Sequence, residues 1–241
     1  MSNLSVPLSL LGQYGAVNPS EEAVLYSDFV ADVSPFGAVT GTTSAPSSST
    51  ITFSDDSSNG IVGSANITVN GTVGSRGGIF CCPSSTTTVN RSIYIPGETD
   101  FKTRINFSIQ AGSNQRVAVG LGLTHSPAGS TMLQYGAAFV AYGNLGNWKA
   151  AVASDNVVDE VDTGVPAQGW ATLGIKINSE SNEFQFYANG NLIRTVTGTP
   201  WDMVSTSTQW GIDCRDKNAG GTGGNMIVLV DYMVIKRKVS R

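Results

Sequence analysis

The chain has 241 residues, of which 13% are charged, and a formal net charge of −4 at pH 7. That is about half the usual ~25% of charged residues, and the acidic balance excludes a surface built for phosphate backbones, which needs a surplus of Lys and Arg. No apolar run approaches the ~20 residues of a membrane helix, so neither nucleic acid nor a membrane is an expected partner.

Polar surface comes instead from Ser, Thr and Asn, alongside 28 glycines, the composition of a strand-and-turn protein. Residues 1–23 read as an arm. Leu4, Val6, Leu8 and Leu10 alternate with polar residues and Pro7, a period-two pattern whose proline confines it to a sheet edge. Such a segment either adds to another subunit's sheet or folds on its own domain. The opening "MSNLSVPLSLLGQYG" lacks the basic start, long apolar stretch and small-residue cleavage site of a signal peptide, so a reducing cytosol is the expected place of synthesis. There Cys81, Cys82 and Cys214 read as small, half-buried apolar residues rather than a disulfide framework. A single histidine gives no support to a Cys-rich zinc site.

From Val24 to Ile95, short β-type runs such as "STITFSD", "NITVNGTV" and "GGIFCC" are punctuated by Gly, Ser and Thr. "TGTTSAPSSST" has the composition of a linker, but runs of similar character flank it, so it reads as a long loop inside one domain. From Phe101 the strands lengthen, and Leu173, Ile175 and Ile177 line one face of theirs. In "EFQFYANGNLIRTV" the pair Asn189-Gly190 predicts a tight hairpin. No stretch of twelve residues carries the 3.6-residue period of a helix. Residues 24–241 are therefore expected to form one all-β sandwich or barrel.

The stretch "VVDEVDTG", residues 157–164, sets Glu160 and Asp162 on the same face of a strand. A retaining glycosidase needs two carboxyl groups ~5–5.5 Å apart in distinct protonation states. Nothing marks either residue as desolvated, and Asp159 beside them adds the charge expected at a wet strand end. His125, in "LTHSPAGS", sits among turn residues, and no nucleophile-elbow sequence accompanies it. "GGTGG" near Gly220 does not lead from a strand into a helix, so it is no phosphate cradle.

The order "DTGVPAQGWATLGIKINSESNEFQFYANGNLIRTVTGTPW", then "WGID", then "VDYMVIKR", resembles the concanavalin A-like lectin/glucanase superfamily. With the early "YSDFV" and "VGLGL", it is similar to versions of that sandwich in virion structural proteins of tailed bacteriophages. The resemblance covers residues 24–238 and implies a jelly roll of two large curved antiparallel sheets with a concave face for ligands. Laminarinase-type members carry E-x-D-x-E on one strand. Here Glu160 and Asp162 match the first two positions and Gly164 occupies the third, so the acid/base is missing. Alginate-lyase-like members use a dense Arg/Gln/His/Tyr set, which the linear sequence does not assemble.

Two features stand apart. Asp231 interrupts the row Leu229, Met233, Ile235, and a buried carboxylate needs a partner. The resemblance implies that the closing strand lies near the first, where some members hold a structural calcium. Asp28 and Asp231 are thus candidate cation ligands, the alternative being a carboxylate satisfied by hydrogen bonds. No other cofactor is expected. The aromatic residues Tyr142, Trp148, Trp201 and Trp210, with Asn144, Asn147 and Asp213, form a candidate glycan platform, although large aromatics also serve as core. Trp170 is assigned to the core.

The resulting expectation is a non-enzymatic virion protein of a tailed phage, a capsid-decoration, head-fibre or tail component. It would form homo-oligomers and contact capsid or tail subunits through its sandwich and arm. The alternatives are a lectin-like module adhering to host surface glycans, and a polysaccharide hydrolase using Glu160 and Asp162.

Overall fold

Among the described residues, period-two alternation of apolar and polar residues becomes strand. The computed structural model describes residues 22–29, 37–41, 49–56, 61–70, 75–80, 98–109, 115–123, 133–143, 146–154, 157–178, 183–197, 210–216 and 225–238. In chain order the strands are β1 (Glu22–Ser27), β2 (Gly37–Gly41), β3 (Ser49–Asp56), β4 (Ile61–Val69), β5 (Arg76–Phe80), β6 (Glu98–Ile109), β7 (Gln115–Leu123) and β8 (Leu133–Tyr142). They continue as β9 (Asn147–Ser154), β10 (Val157–Pro166), β11 (Trp170–Asn178), β12 (Glu183–Ala188), β13 (Asn191–Thr197), β14 (Trp210–Asp216) and β15 (Met226–Lys238). There is no helix among the described residues.

The strands form two sheets. Sheet A has eight strands in the order β13-β12-β11-β6-β15-β4-β3, with β1 also paired to β15; sheet B has seven, β10-β9-β8-β7-β14-β5-β2. Every pairing is antiparallel, so this is the all-β jelly-roll-like sandwich expected from the sequence.

The facing sides of the two sheets hold the main core. Sheet A contributes Leu173, Ile175 and Ile177 of β11, Phe101 and Ile105 of β6, and Phe184 and Phe186 of β12. Sheet B answers with Val117 and Val119 of β7, Phe139 of β8, and Ile212 and Cys214 of β14. Aromatic pairs bridge the layers: Phe101 stacks on Trp210 at 5.1 Å between centroids, and Phe139 meets Phe186 edge-on at 5.4 Å. Each such side chain fully buried contributes roughly 1.5–3 kcal/mol. Cys214 is a free thiol in this core, fully rather than half buried, and burial pushes its pKa well up.

Two local features follow the sequence closely. Asn189 and Gly190 take positive φ of 50° and 83° in the turn joining β12 to β13, as a two-residue primed hairpin turn requires. The pairing of β1 with β15 places the closing strand beside the first. One feature does not follow: the register of β15 against β6 shifts between Val230 and Tyr232. The extra residue of this bulge is Asp231. Val228 and Val230 face the core before it, and Met233 and Ile235 after it. The core row of β15 therefore changes parity at a bulge, which leaves Asp231 half-buried.

Candidate functional site

The outer face of sheet B carries a row of charged and phenolic side chains that runs across four strands. Cross-strand register sets Arg76 of β5 opposite Arg215 of β14, Arg215 opposite Arg116 of β7, and Arg116 opposite Tyr142 of β8. Residues directly opposite share a face, so three guanidinium groups and a phenol form one row across four strands.

Like charges side by side repel, and Asp213 offsets this. It lies two residues before Arg215 on the same face of β14, and its cross-strand neighbours are Gly78 and Ala118. These small residues leave room for both arginines to fold back. Arg76 Nε donates to Asp213 Oδ1 at 2.7 Å and its Nη2 to Oδ2 at 3.2 Å; Arg215 Nε donates to Oδ2 at 2.7 Å. The Asp213 side chain is 0% exposed and those of Arg76 and Arg215 only 7% and 5%. Burial on its own would raise the Asp213 pKa, but the two guanidinium groups outweigh it and hold the carboxyl below its ordinary range.

Gly78 is required here by close packing. A Cβ on it would lie 2.4 Å from the Ile212 carbonyl oxygen and 2.5 Å from the Phe80 ring. Phe80 covers the strand at this point and receives the Arg76 guanidinium 5.1 Å from its ring centroid. With Ala118, Leu133, Ala138, Val140, Ala151 and Ala153 it forms a second apolar cluster on this face. The middle of the face is therefore buried, and its chemistry lies along the charged row.

The row becomes accessible at Tyr142. Arg116 Cζ lies over the Tyr142 ring at 5.1 Å and Lys149 Nζ, from β9, at 5.0 Å, a doubled cation–π arrangement. The Tyr142 hydroxyl donates to Glu160 of β10, and Lys149 Nζ donates to the other Glu160 oxygen at 3.2 Å. Burial raises the Tyr142 pKa, the Glu160 carboxylate raises it further, and Arg116 only partly opposes this, so the phenol keeps its proton at neutral pH. A neutral phenol, a carboxylate hydrogen-bonded to it and two cations make a group able to move a proton beside a bound anion.

The sequence-derived candidates are redistributed by the fold. Tyr142 and Asp213 reach this face. Trp148 and Trp210 do not form a glycan platform: they lie between the sheets, 0% and 3% exposed, because both fall on the inward rows of their strands. Trp170 is not core. It is half-buried on the outer side of sheet A, with Arg104 Cζ 5.2 Å from its ring centroid, and Ala171 takes the inward position. Asn144, Trp201, His125, Cys81, Cys82 and the arm residues Leu4, Val6, Leu8 and Leu10 lie outside the described residues.

Glu160 and Asp162 do not act as a pair. Glu160 is bound to Tyr142 and Lys149, whereas Asp162 is tied into the strand end by the Gly164 amide at 2.7 Å and Asn147 at 2.8 Å. The amide and then Asn147 hold its carboxyl below the ordinary range. Asp231 finds its partner in Arg104, whose Nη1 donates to it at 3.0 Å. Asp28 lies close enough to oppose ionisation of Asp231, whose pKa is raised, by burial first of all, despite Arg104. Among the described residues no group of three or more His, Cys, Asp or Glu is placed to hold a metal ion.

No family model matches the chain, and neither does any curated protein. Solved structures do. A protein of unknown function from Shewanella oneidensis MR-1 superposes with a TM-score of 0.65 at 13% identity, covering 100% of this chain and 98% of its own. An endo-β-1,4-glucuronan lyase from the fungus Trichoderma reesei gives 0.56 at 12% identity, over 88% of this chain and 94% of that one. Alginate lyase A1-II′, of polysaccharide lyase family 7, gives 0.54 at 13% identity, over 78% and 84%. These likenesses show the fold, a concanavalin A-like jelly roll. They also overturn the expectation of a non-enzymatic phage component, because the architecture on which it rested is shared with polysaccharide lyases. Of the Arg/Gln/His/Tyr set named for that chemistry, the row from Arg76 to Tyr142 brings together three arginines and a tyrosine, with no Gln or His on it.

Proposed function

We propose that this chain acts on an acidic polysaccharide bound against the Tyr142 end of the outer face of sheet B, cleaving it by β-elimination. The observation that carries this reading is Tyr142 itself. It is held protonated, hydrogen-bonded to Glu160 and overlaid by Arg116 and Lys149. The shared sandwich of enzymes named alginate lyase and endo-β-1,4-glucuronan lyase supports the substrate class.

In a uronate chain the carboxylate beside C5 resists loss of the C5 proton until its charge is neutralised. Arg116 and Lys149 supply that neutralisation. Glu160 accepts the C5 proton, the electron pair forms a C4–C5 double bond, and the C4–oxygen bond breaks. Tyr142 protonates the departing oxygen and recovers a proton from Glu160 through their hydrogen bond. Arg76, Asp213 and Arg215 are too buried to touch a sugar, and they brace β5 and β14 beside the row.

The test is incubation of the protein with polyuronates of differing sugar and linkage, following the ultraviolet absorbance of the unsaturated sugar end. Absorbance that grows with wild type and is lost in Tyr142→Phe is the expected result. Binding of polyuronate with no new absorbance on any substrate would refute cleavage and leave a recognition surface alone.

A further inference from the structure

Sheet A carries a second, separate feature on its outer side: an open groove of about 560 Å³ running across β12, β11, β6 and β15. Its chemistry is set by register. Tyr187 of β12 stands opposite Gly174 of β11, which stands opposite Lys102 of β6. One step along, Lys176 faces Asp100, and Asp100 faces Lys236 of β15. Glu98 and Lys238 close one end.

Three observations mark this as more than a solvated face. The chain has only six lysines, and four of them, Lys102, Lys176, Lys236 and Lys238, line this groove against two carboxylates. A molecule of net charge −4 thus gathers most of its lysines in one place. Gly174 forms the floor although packing does not demand a glycine there. A Cβ would meet nothing nearer than 3.6 Å, its neighbours being the Phe101 carbonyl oxygen, Tyr187 and Lys102. The missing side chain leaves a trough between two tall ones. Finally, Lys176 Nζ lies 5.4 Å from the Tyr187 ring centroid, which sets a cation beside an aromatic face. That combination suits a sugar carrying an anionic group, with the ring stacked and the substituent paired.

We infer that the groove on the outer face of sheet A is a binding site for an anionic polysaccharide, distinct from the Tyr142 row on the opposite sheet. It takes a carboxylate- or sulfate-bearing chain along the lysine row, with Tyr187 and Gly174 receiving a sugar ring. On the proposed function it acts as a holding site for polymer whose other segments reach Tyr142, but binding here does not depend on cleavage there.

Native affinity electrophoresis of the full chain separates these outcomes, with gels containing a polyuronate, a sulfated dextran, neutral dextran or single-stranded DNA. Retardation is expected with the anionic polysaccharides and not with neutral dextran. The double variant Lys102→Gln/Lys176→Gln is expected to weaken it on the order of tenfold, as for one half-exposed and one exposed charge contact. Thermal melting of the double variant checks that its fold is intact, and Tyr187→Ala, expected to weaken binding in the same direction, serves as a second probe. The relative retardation by polyuronate and sulfated dextran tells which anionic group is preferred. Equal retardation by neutral dextran, stronger retardation by DNA than by either anionic polysaccharide, or binding unchanged in the folded groove variants would overturn the inference. Because the readout is retention, failure of cleavage at Tyr142 leaves this result intact, and the reverse holds too.

Discussion

The outer faces of the two sheets use similar residues to opposite ends. On sheet B, Arg76 and Arg215 grip Asp213 out of reach of water. On sheet A, Lys238 and Glu98 sit 3.9 Å apart with side chains 68% and 58% exposed. A charge out of water is expensive, so it must be matched by a fixed counter-charge, and the pair becomes part of the scaffold. A charge in water interacts weakly with its neighbours and stays available to an incoming polyanion. Burial, rather than residue type, therefore separates the charges that hold this molecule together from those that meet a ligand.

The sharpest way to break that contrast is Asp213→Asn. It removes the carboxylate that both guanidinium groups hold and is expected to cost about 3–5 kcal/mol at neutral pH, measured by urea denaturation. The folded-state pKa of Asp213 is lowered, so its stabilisation is present above the ordinary carboxylate range and lost as pH falls through the lowered value. The deficit of the variant should shrink in strong acid. A neutral-pH cost under ~1 kcal/mol would show that this buried cluster behaves like a surface pair.

Next in size is the exposed end of the sheet B row. Tyr142→Phe keeps the ring between Arg116 and Lys149 but removes the proton donor, and turnover should fall about 100-fold or more with KM little changed. A rise in KM at constant kcat would make Tyr142 a binding group only. At the rim of the sheet A groove, Gly190→Ala is expected to cost about 1 kcal/mol in thermal unfolding. Open space surrounds this glycine, yet its φ of +83° is one that an L side chain disfavours.

The smallest effect is expected at Asp100. Burial raises its pKa, with Lys176, Lys102 and Lys236 offsetting that only in part. The sign is opposite to that of Asp213: its contribution is present below the ordinary carboxylate value and lost as pH rises through the raised one. Asp100→Asn should therefore change neutral-pH stability by less than ~1 kcal/mol, towards stabilisation, with the difference fading as pH falls. A large loss at pH 7 would mean that the lysine groove is held together by its own ion pairs.

Much of the scaffold was written locally. The alternation of Leu173, Ile175 and Ile177 fixes which face of β11 is buried, and Asn189-Gly190 fixes the β12–β13 turn, because strand facing and tight-turn geometry depend on adjacent residues. The row from Arg76 to Tyr142 was not legible. Its members come from four strands that are neighbours only after β5 pairs with β14 and β14 with β7. A weak signal existed in "WGIDCRD", where Asp213 and Arg215 share a face of an otherwise apolar strand. Trp148 and Trp210 are core rather than platform, because proximity to a loop in sequence says nothing of whether a strand end points inward.

By itself the sequence determined the all-β class, the inward rows, the tight hairpin and the scarcity of charge, all of which follow from side-chain periodicity and composition over short spans. The tertiary structure alone decided which charges were buried and which exposed, that Asp231 sits at a bulge beside Arg104, and that four lysines meet around Gly174. Those outcomes depend on strand order and register, and these are set by how two whole sheets close on one another.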